Sequence, residues 1–91
     1  MTMGYHDRRT ETRRDADGEV RLSFEEPVHQ EIHGRLLDYS NSGFRAVHDC
    51  SDLHTGQLVQ FRHVIASGTA RVMWNRISPE RVESGFLVVA T

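Results

Sequence analysis

The sequence predicts an all-β domain: a small six-stranded antiparallel barrel behind a flexible, arginine-rich leading segment. Three observations predict it. Apolar residues recur at every second position in runs of 5 to 10 residues, the signature of half-buried strands. Glycine, proline, serine and aspartate punctuate those runs. No stretch of ten residues carries the 3.6-residue period of a helix. Six short strands in a chain of 91 residues leave exposed edges unless the sheet closes on itself.

The elements follow in order. Residues 1–17 hold few apolar side chains, among them Met3, Tyr5 and Ala16, too few to offset the entropy of ordering the segment. It is therefore set apart as a flexible leader, with the barrel spanning 18–91. "EVRLSFEE" places Val20, Leu22 and Phe24 on one face before Pro27 interrupts. "QEIHGRLLDYS" is the second strand, with Leu36 and Leu37 covering both faces, and "GFRAVH" is a short third. "DCSDLHTG" is a polar connection with room for one helical turn from Ser51, ended by Gly56. "QLVQFRHVI" sets Val59, Phe61 and Ile65 on one face. "GTARVMWNRI" alternates Ala70, Val72 and Trp74 against Arg71, Met73 and Asn75. "RVESGFLVVA" closes the chain, Phe86 and Val88 opposing Leu87 and Val89.

Composition narrows the function. The formal net charge is −2, against the broad basic surface of a DNA or RNA binder. Seven aromatic residues in all are few for a stacking groove along a single strand. All eleven basic side chains are arginine. Codon bias of a GC-rich genome accounts for that as readily as a need for planar, two-pronged anion recognition, so only position can decide. Cys50 is the single cysteine, which excludes an internal disulfide. No apolar run approaches the ~18–20 residues that span a bilayer, and "MTMGYHDRR" has no apolar signal core. A cytoplasmic domain without membrane attachment is expected.

An enzyme finds little support. Six histidines invite a metal, and His29 and His33 would share a helix face. On the extended chain predicted there, four residues separate side chains by roughly 13 Å, too far for one ion. His48, Cys50 and His54 share a connection, but no third orienting group accompanies them. No glycine-rich phosphate loop is present either. The expectation is no catalysis, no metal and no cofactor.

Two polar stretches remain. "DRRTETRR" at 7–14 crowds four arginines, Arg8, Arg9, Arg13 and Arg14, ahead of the first strand. Guanidinium groups fork onto phosphate oxygens or onto the O6 and N7 acceptors of guanine. About 25 residues on, "DYSNSG" offers Asp38 as an acceptor for the N1 and N2 donors of guanine. There Ser40 can donate or accept, and Gly43 allows a left-handed conformation or close backbone approach. One stretch brings positive forks, the other an acceptor and a tight turn.

With "RTETR" (Arg9 to Arg13) followed by "DYSNSG" (Asp38 to Gly43), the chain resembles the PilZ domain, the bacterial receptor module for cyclic di-GMP. The family is marked by R-x-x-x-R and then [D/N]-x-S-x-x-G, and "ARVMWNR…ESGFLVV" is similar to its last two strands. The resemblance implies a six-stranded barrel that holds cyclic di-GMP on its outer surface while the arginine strip folds over it. It implies that Arg9 and Arg13 contact guanine and phosphate and that Arg8 serves a second, intercalated ligand. Asp38 and Ser40 would hold the other guanine and Gly43 the turn, with Asn41 and Trp74 as lesser contacts. Trp74 reads equally as a core or rim residue. A downstream effector protein would read the ordered strip. Two features depart from the family pattern: Glu11 sits inside the strip, and relatives commonly continue into a helix where this chain ends at Thr91. One end of the barrel would then be bare, covered by a partner copy, or cut short. The competing reading is a degenerate PilZ-like adaptor that binds protein and no nucleotide.

Overall fold

The computed structural model describes residues 13–25 and 28–90. Seven strands follow one another: β1 (Arg14–Asp15), β2 (Glu19–Phe24), β3 (Gln30–Tyr39), β4 (Gly43–His48), β5 (Leu58–Arg62), β6 (Ser67–Ile77) and β7 (Val82–Ala90). All pairings are antiparallel. The sheet runs β3-β2-β5-β6-β7-β4 and closes through a β3–β4 pairing into a six-membered ring, while β1 adds to β3 alone. The closed six-stranded barrel is the one the alternation predicts.

The period-two readings fill its interior. Val20, Leu22, Leu36, Ala46, Ala70 and Val72 are at most 1% exposed. Phe44 stacks on Phe86 with ring centroids 4.7 Å apart and lies 4.8 Å from Phe61. Such offset ring pairs add to the burial that holds a domain this small together. Leu87 and Val89 face outward opposite Phe86, as expected.

Four local expectations are corrected. First, β1 lies within the segment set apart as a flexible leader. Arg14 pairs with Tyr39 and Asp15 with Asp38, and the Ala16 and Leu36 amides donate to Leu37 and Gly18 carbonyls at 3.0 and 2.8 Å. The segment continues the line of β2 along β3. Second, the strand of "QLVQFRHVI" ends at Arg62. The His63 amide donates to Ala66 O at 2.9 Å to close a turn, so Ile65 is 57% exposed instead of facing inward with Phe61. Third, the register of β6 on β7 shifts between Val72 and Trp74. That bulge inserts Met73, breaks the alternation, and turns Trp74 out of the core face on which alternation had set it. Fourth, 49–57 forms turns without a helix.

That connection nevertheless has a structural task. Leu53 drops from it into the core at 4% exposure, and Asn75 Nδ2 donates to Leu53 O at 3.0 Å. One end of the barrel is thus closed by the chain's own loop. The opposite end carries His63, whose ring lies 5.0 Å from Phe44 and 5.3 Å from Phe61.

A buried polar chain ties the loop to the wall. The Cys50 amide donates to His48 Nδ1 at 3.1 Å, which leaves the proton of neutral His48 on Nε2. Nε2 lies 2.8 Å from Ser84 Oγ, which donates in turn to Asn75 Oδ1 at 2.5 Å. Every donor in the chain meets an acceptor, which is the condition for burying such groups without loss.

Candidate functional site

The site grows out of the β3–β4 hairpin. The Ser40 amide donates to Gly43 O at 2.8 Å to close the turn, with Asn41 exposed at its tip. Counting outward from it, Tyr39 pairs with Phe44 and Asp38 with Arg45. Phe44 points inward, so Arg45 and Asp38 lie on the outer wall. The register of β3 shifts between Leu36 and Asp38, and this bulge seats the carboxylate low against the wall. Asp38 is only 5% exposed despite facing outward.

Two arginines cover it. Arg45 grips it two-pronged: Nε donates to Oδ1 and Oδ2 at 3.2 and 3.0 Å, and Nη2 to Oδ2 at 2.5 Å. Arg13 Nη2 donates to Oδ1 at 2.8 Å. Burial alone would raise the Asp38 carboxyl. The hydrogen bonds and charges of Arg45 and Arg13 outweigh it and hold the group below the ordinary carboxylate range. Arg45 also donates through Nη1 to Glu83 Oε2 at 3.0 Å, and Arg76 stands 3.9 Å from Glu83 Oε1.

Beside this cluster lies a shallow cavity of about 190 Å³, lined among others by Arg13, Gly43, Arg45, Trp74, Gly85 and Leu87. A Cβ at Gly85 would collide with Nε1 and Cε2 of Trp74, so the indole lies flat across the β7 backbone. It keeps 37% of its surface open. The volume falls below the ~300–1,000 Å³ of pockets that enclose a whole ligand, so a dinucleotide here would rest on the wall. A larger cleft of about 530 Å³ opens beside Glu19, His33, His48, Asp49 and Arg81. None of the residues expected to hold the dinucleotide is among those that line it.

The structure brings Arg13, Asp38, Gly43 and Trp74 to one patch of outer wall, with Ser40 and Asn41 in the adjoining turn. Arg8 and Arg9 lie outside the described residues, as do His6, Glu11 and Pro27. Gly43 has a different reason to be glycine than a left-handed turn. It is absent from the positive-φ residues, and a Cβ there would collide with Phe86 O. The close approach it permits is to β7. Sequence reasoning missed Arg45, Glu83 and Gly85. Arg45 was legible in principle, because a turn centred on Asn41 and Ser42 sets residue 45 opposite residue 38.

The remaining histidines do not assemble. His29 Nδ1 sits 3.0 Å from Glu25 Oε2, and His33 Nδ1 2.6 Å from Glu19 Oε2. Among the described residues no group of three or more His, Cys, Asp or Glu could hold a metal ion. No helix among them is long and apolar enough to cross a membrane.

No family model matches the chain, and no curated protein matches it. Among solved structures, the fold is similar to that of the Bacillus subtilis inhibitor of motility, MotI/DgrA. The TM-score is 0.69 at 16% identity, over 85% of this chain and 40% of that one. The chain thus spans about two fifths of that relative's length. Identity this low speaks to the fold alone.

Proposed function

We propose that the chain is a non-enzymatic, cytoplasmic receptor domain for cyclic di-GMP in a bacterial cell. One observation carries the reading: the 2.8 Å contact between Arg13 and Asp38. The last arginine of the R-x-x-x-R strip and the first residue of the D-x-S-x-x-G turn meet, beside the cavity that Trp74 lines.

The contact also suggests how a guanine would enter. N1–H and N2–H of guanine form a donor fork like the edge of a guanidinium, and a carboxylate accepts either. Arg13 takes the seat on Asp38 Oδ1. The guanine edge would take it over, and the released Arg13 would turn to a phosphate or to the O6 and N7 of the second base. Arg8 and Arg9 would join it, Ser40 and Asn41 would contribute from the turn, and the indole of Trp74 would lie against a base. Recruitment of the strip would present or hide a surface for a downstream effector protein. The fold relative is by name an inhibitor of motility, which makes a motility component one candidate effector.

One observation favours the second reading, an adaptor that binds no nucleotide: Asp38 already has two arginine partners. Calorimetric titration of the full chain with cyclic di-GMP and cyclic di-AMP separates the two. Saturable heat with a preference for the guanine dinucleotide supports the receptor. Absence of heat from folded protein at tens of micromolar supports the adaptor.

A further inference from the structure

Four charged side chains run across the outer wall in alternating sign. Asp38 on β3 is followed by Arg45 on β4, Glu83 on β7 and Arg76 on β6. Asp38 and Arg45 are opposite in register, as are Glu83 and Arg76. The two carboxylates are well covered, the Asp38 side chain at 7% and Glu83 at 13% exposure. A row of this kind has a direction: each member fixes the next.

Arg13 and Arg45 hold Asp38 very differently. Arg13 reaches it through one nitrogen. Arg45 reaches it through two, from a paired strand, and its third nitrogen is tied to Glu83. Two-pronged pairing fixes the plane of a carboxylate as well as its position. Arg45 also lies between two carboxylates, which more than offset its single charge, so it has little left to offer a phosphate. It is the partner that stays when Arg13 leaves.

We infer that Arg45 is a positioning residue that sets base choice: it fixes the Asp38 carboxylate so that a guanine edge can replace Arg13 there. The inference rests on the cyclic di-GMP reading above. Without Arg45, a departing Arg13 would leave a covered carboxylate with no cationic partner, a costly state that protonation or rotation relieves. A protonated carboxyl presents one donor and one acceptor. It then suits the mixed donor–acceptor edge of adenine and sets its own O–H against one of the two donors of guanine. Arg45 thus governs selectivity without touching the base. The charged groups around Asp38 are Arg13, Asp15 opposite it on β1, Arg45 on β4, and beyond Arg45 the Glu83–Arg76 pair.

The test uses the full chain with Arg45→Gln and Arg45→Lys, each checked for folding by circular dichroism. Titrations with cyclic di-GMP and cyclic di-AMP at pH 7.5 and 5.5 give the selectivity ratio. Carboxyl carbon NMR of the ligand-free protein gives the Asp38 titration. In the parent the ratio is the same at both pH values. Arg45→Gln lowers it about tenfold at pH 7.5, the cost of losing a charged hydrogen-bond partner, and lowers it further at pH 5.5. Arg45→Lys keeps the charge without the fork, so it restores pH independence and only part of the ratio. Should Arg45→Gln not fold, Arg45→Lys carries the test, and a parent-like ratio there overturns the inference. A folded Arg45→Gln with the parent's ratio at both pH values also overturns it. If the parent ignores cyclic di-GMP, the functional reading fails by itself. The ligand-free titration then still decides Arg45: a higher Asp38 midpoint in Arg45→Gln supports its hold on the carboxylate, and an unchanged midpoint overturns it.

Discussion

Asp38→Asn is the sharpest perturbation of the site, because it keeps the side chain's shape and removes only its charge and one acceptor. Asp38 is 5% exposed and accepts from Arg13 and, two-pronged, from Arg45. An asparagine there keeps one acceptor and sets an NH₂ against guanidinium donors. A bound guanine would lose a hydrogen bond to a charged partner, worth about 1.5–3 kcal/mol, or about 10- to 150-fold in Kd. Folding suffers separately. The Arg13 and Arg45 side chains are 46% and 41% exposed, so solvent screening holds each ion pair to about 0–1 kcal/mol. The donor mismatch adds about 1–3 kcal/mol, which a chemical denaturation curve measures. Calorimetric titration with cyclic di-GMP and cyclic di-AMP then gives the binding change on folded protein. The expected result is the 10- to 150-fold loss for the guanine dinucleotide and a change within about twofold for adenine. Equal losses for both, or none for either, would refute Asp38 as the guanine acceptor.

Other consequences are accessible to routine measurement. Arg9→Ala and Arg13→Ala should each weaken cyclic di-GMP binding by roughly 1.5–3 kcal/mol; a variant that binds like the parent removes that arginine from the site. Ser84→Ala strands both His48 Nε2–H and Asn75 Oδ1 in a region where Ser84 is fully buried. One orphaned buried donor and one half-buried acceptor should cost about 1–3 kcal/mol in chemical denaturation, and a loss under 1 kcal/mol would disprove the relay. Acid should also destabilise the fold through the buried His48 and the half-buried His63. Burial lowers His48, partly offset by Asp49, and burial lowers His63. Both fold as the neutral form, so their contribution is complete above the unfolded imidazole value near 6.5. It falls away as pH drops below that value toward the folded ones. A flat stability profile between pH 7.5 and 5 would contradict this.

The barrel was legible because period-two alternation depends on nothing beyond the chain itself. Val20, Leu22 and Phe24, or Phe86 against Leu87, declare their faces without reference to a partner strand. What was not legible depends on register. The bulge at Met73 is set by how β6 meets β7, and no local pattern in "RVMWNR" announces that Trp74 turns outward. Arg45 reads as an ordinary outward residue of an alternating strand until Asp38 is known to sit opposite. β1 escaped notice because two residues with exposed side chains carry no alternation; only backbone pairing with Asp38 and Tyr39 defines it. Gly43 was read as a left-handed or close-approach position; that a Cβ there would meet the Phe86 carbonyl follows only from how β4 pairs with β7.

The central claim is that the end of the arginine strip and the Asp38 turn form one binding place on the outer wall. Amide NMR of the labelled chain during titration with cyclic di-GMP tests it most directly. Saturable shifts should concentrate in 13–15, 38–45 and 73–87, with the Leu53 loop at the far end of the barrel little changed. Shifts centred on the Glu19–His33 cleft, or no shifts from folded protein at tens of micromolar ligand, would contradict it.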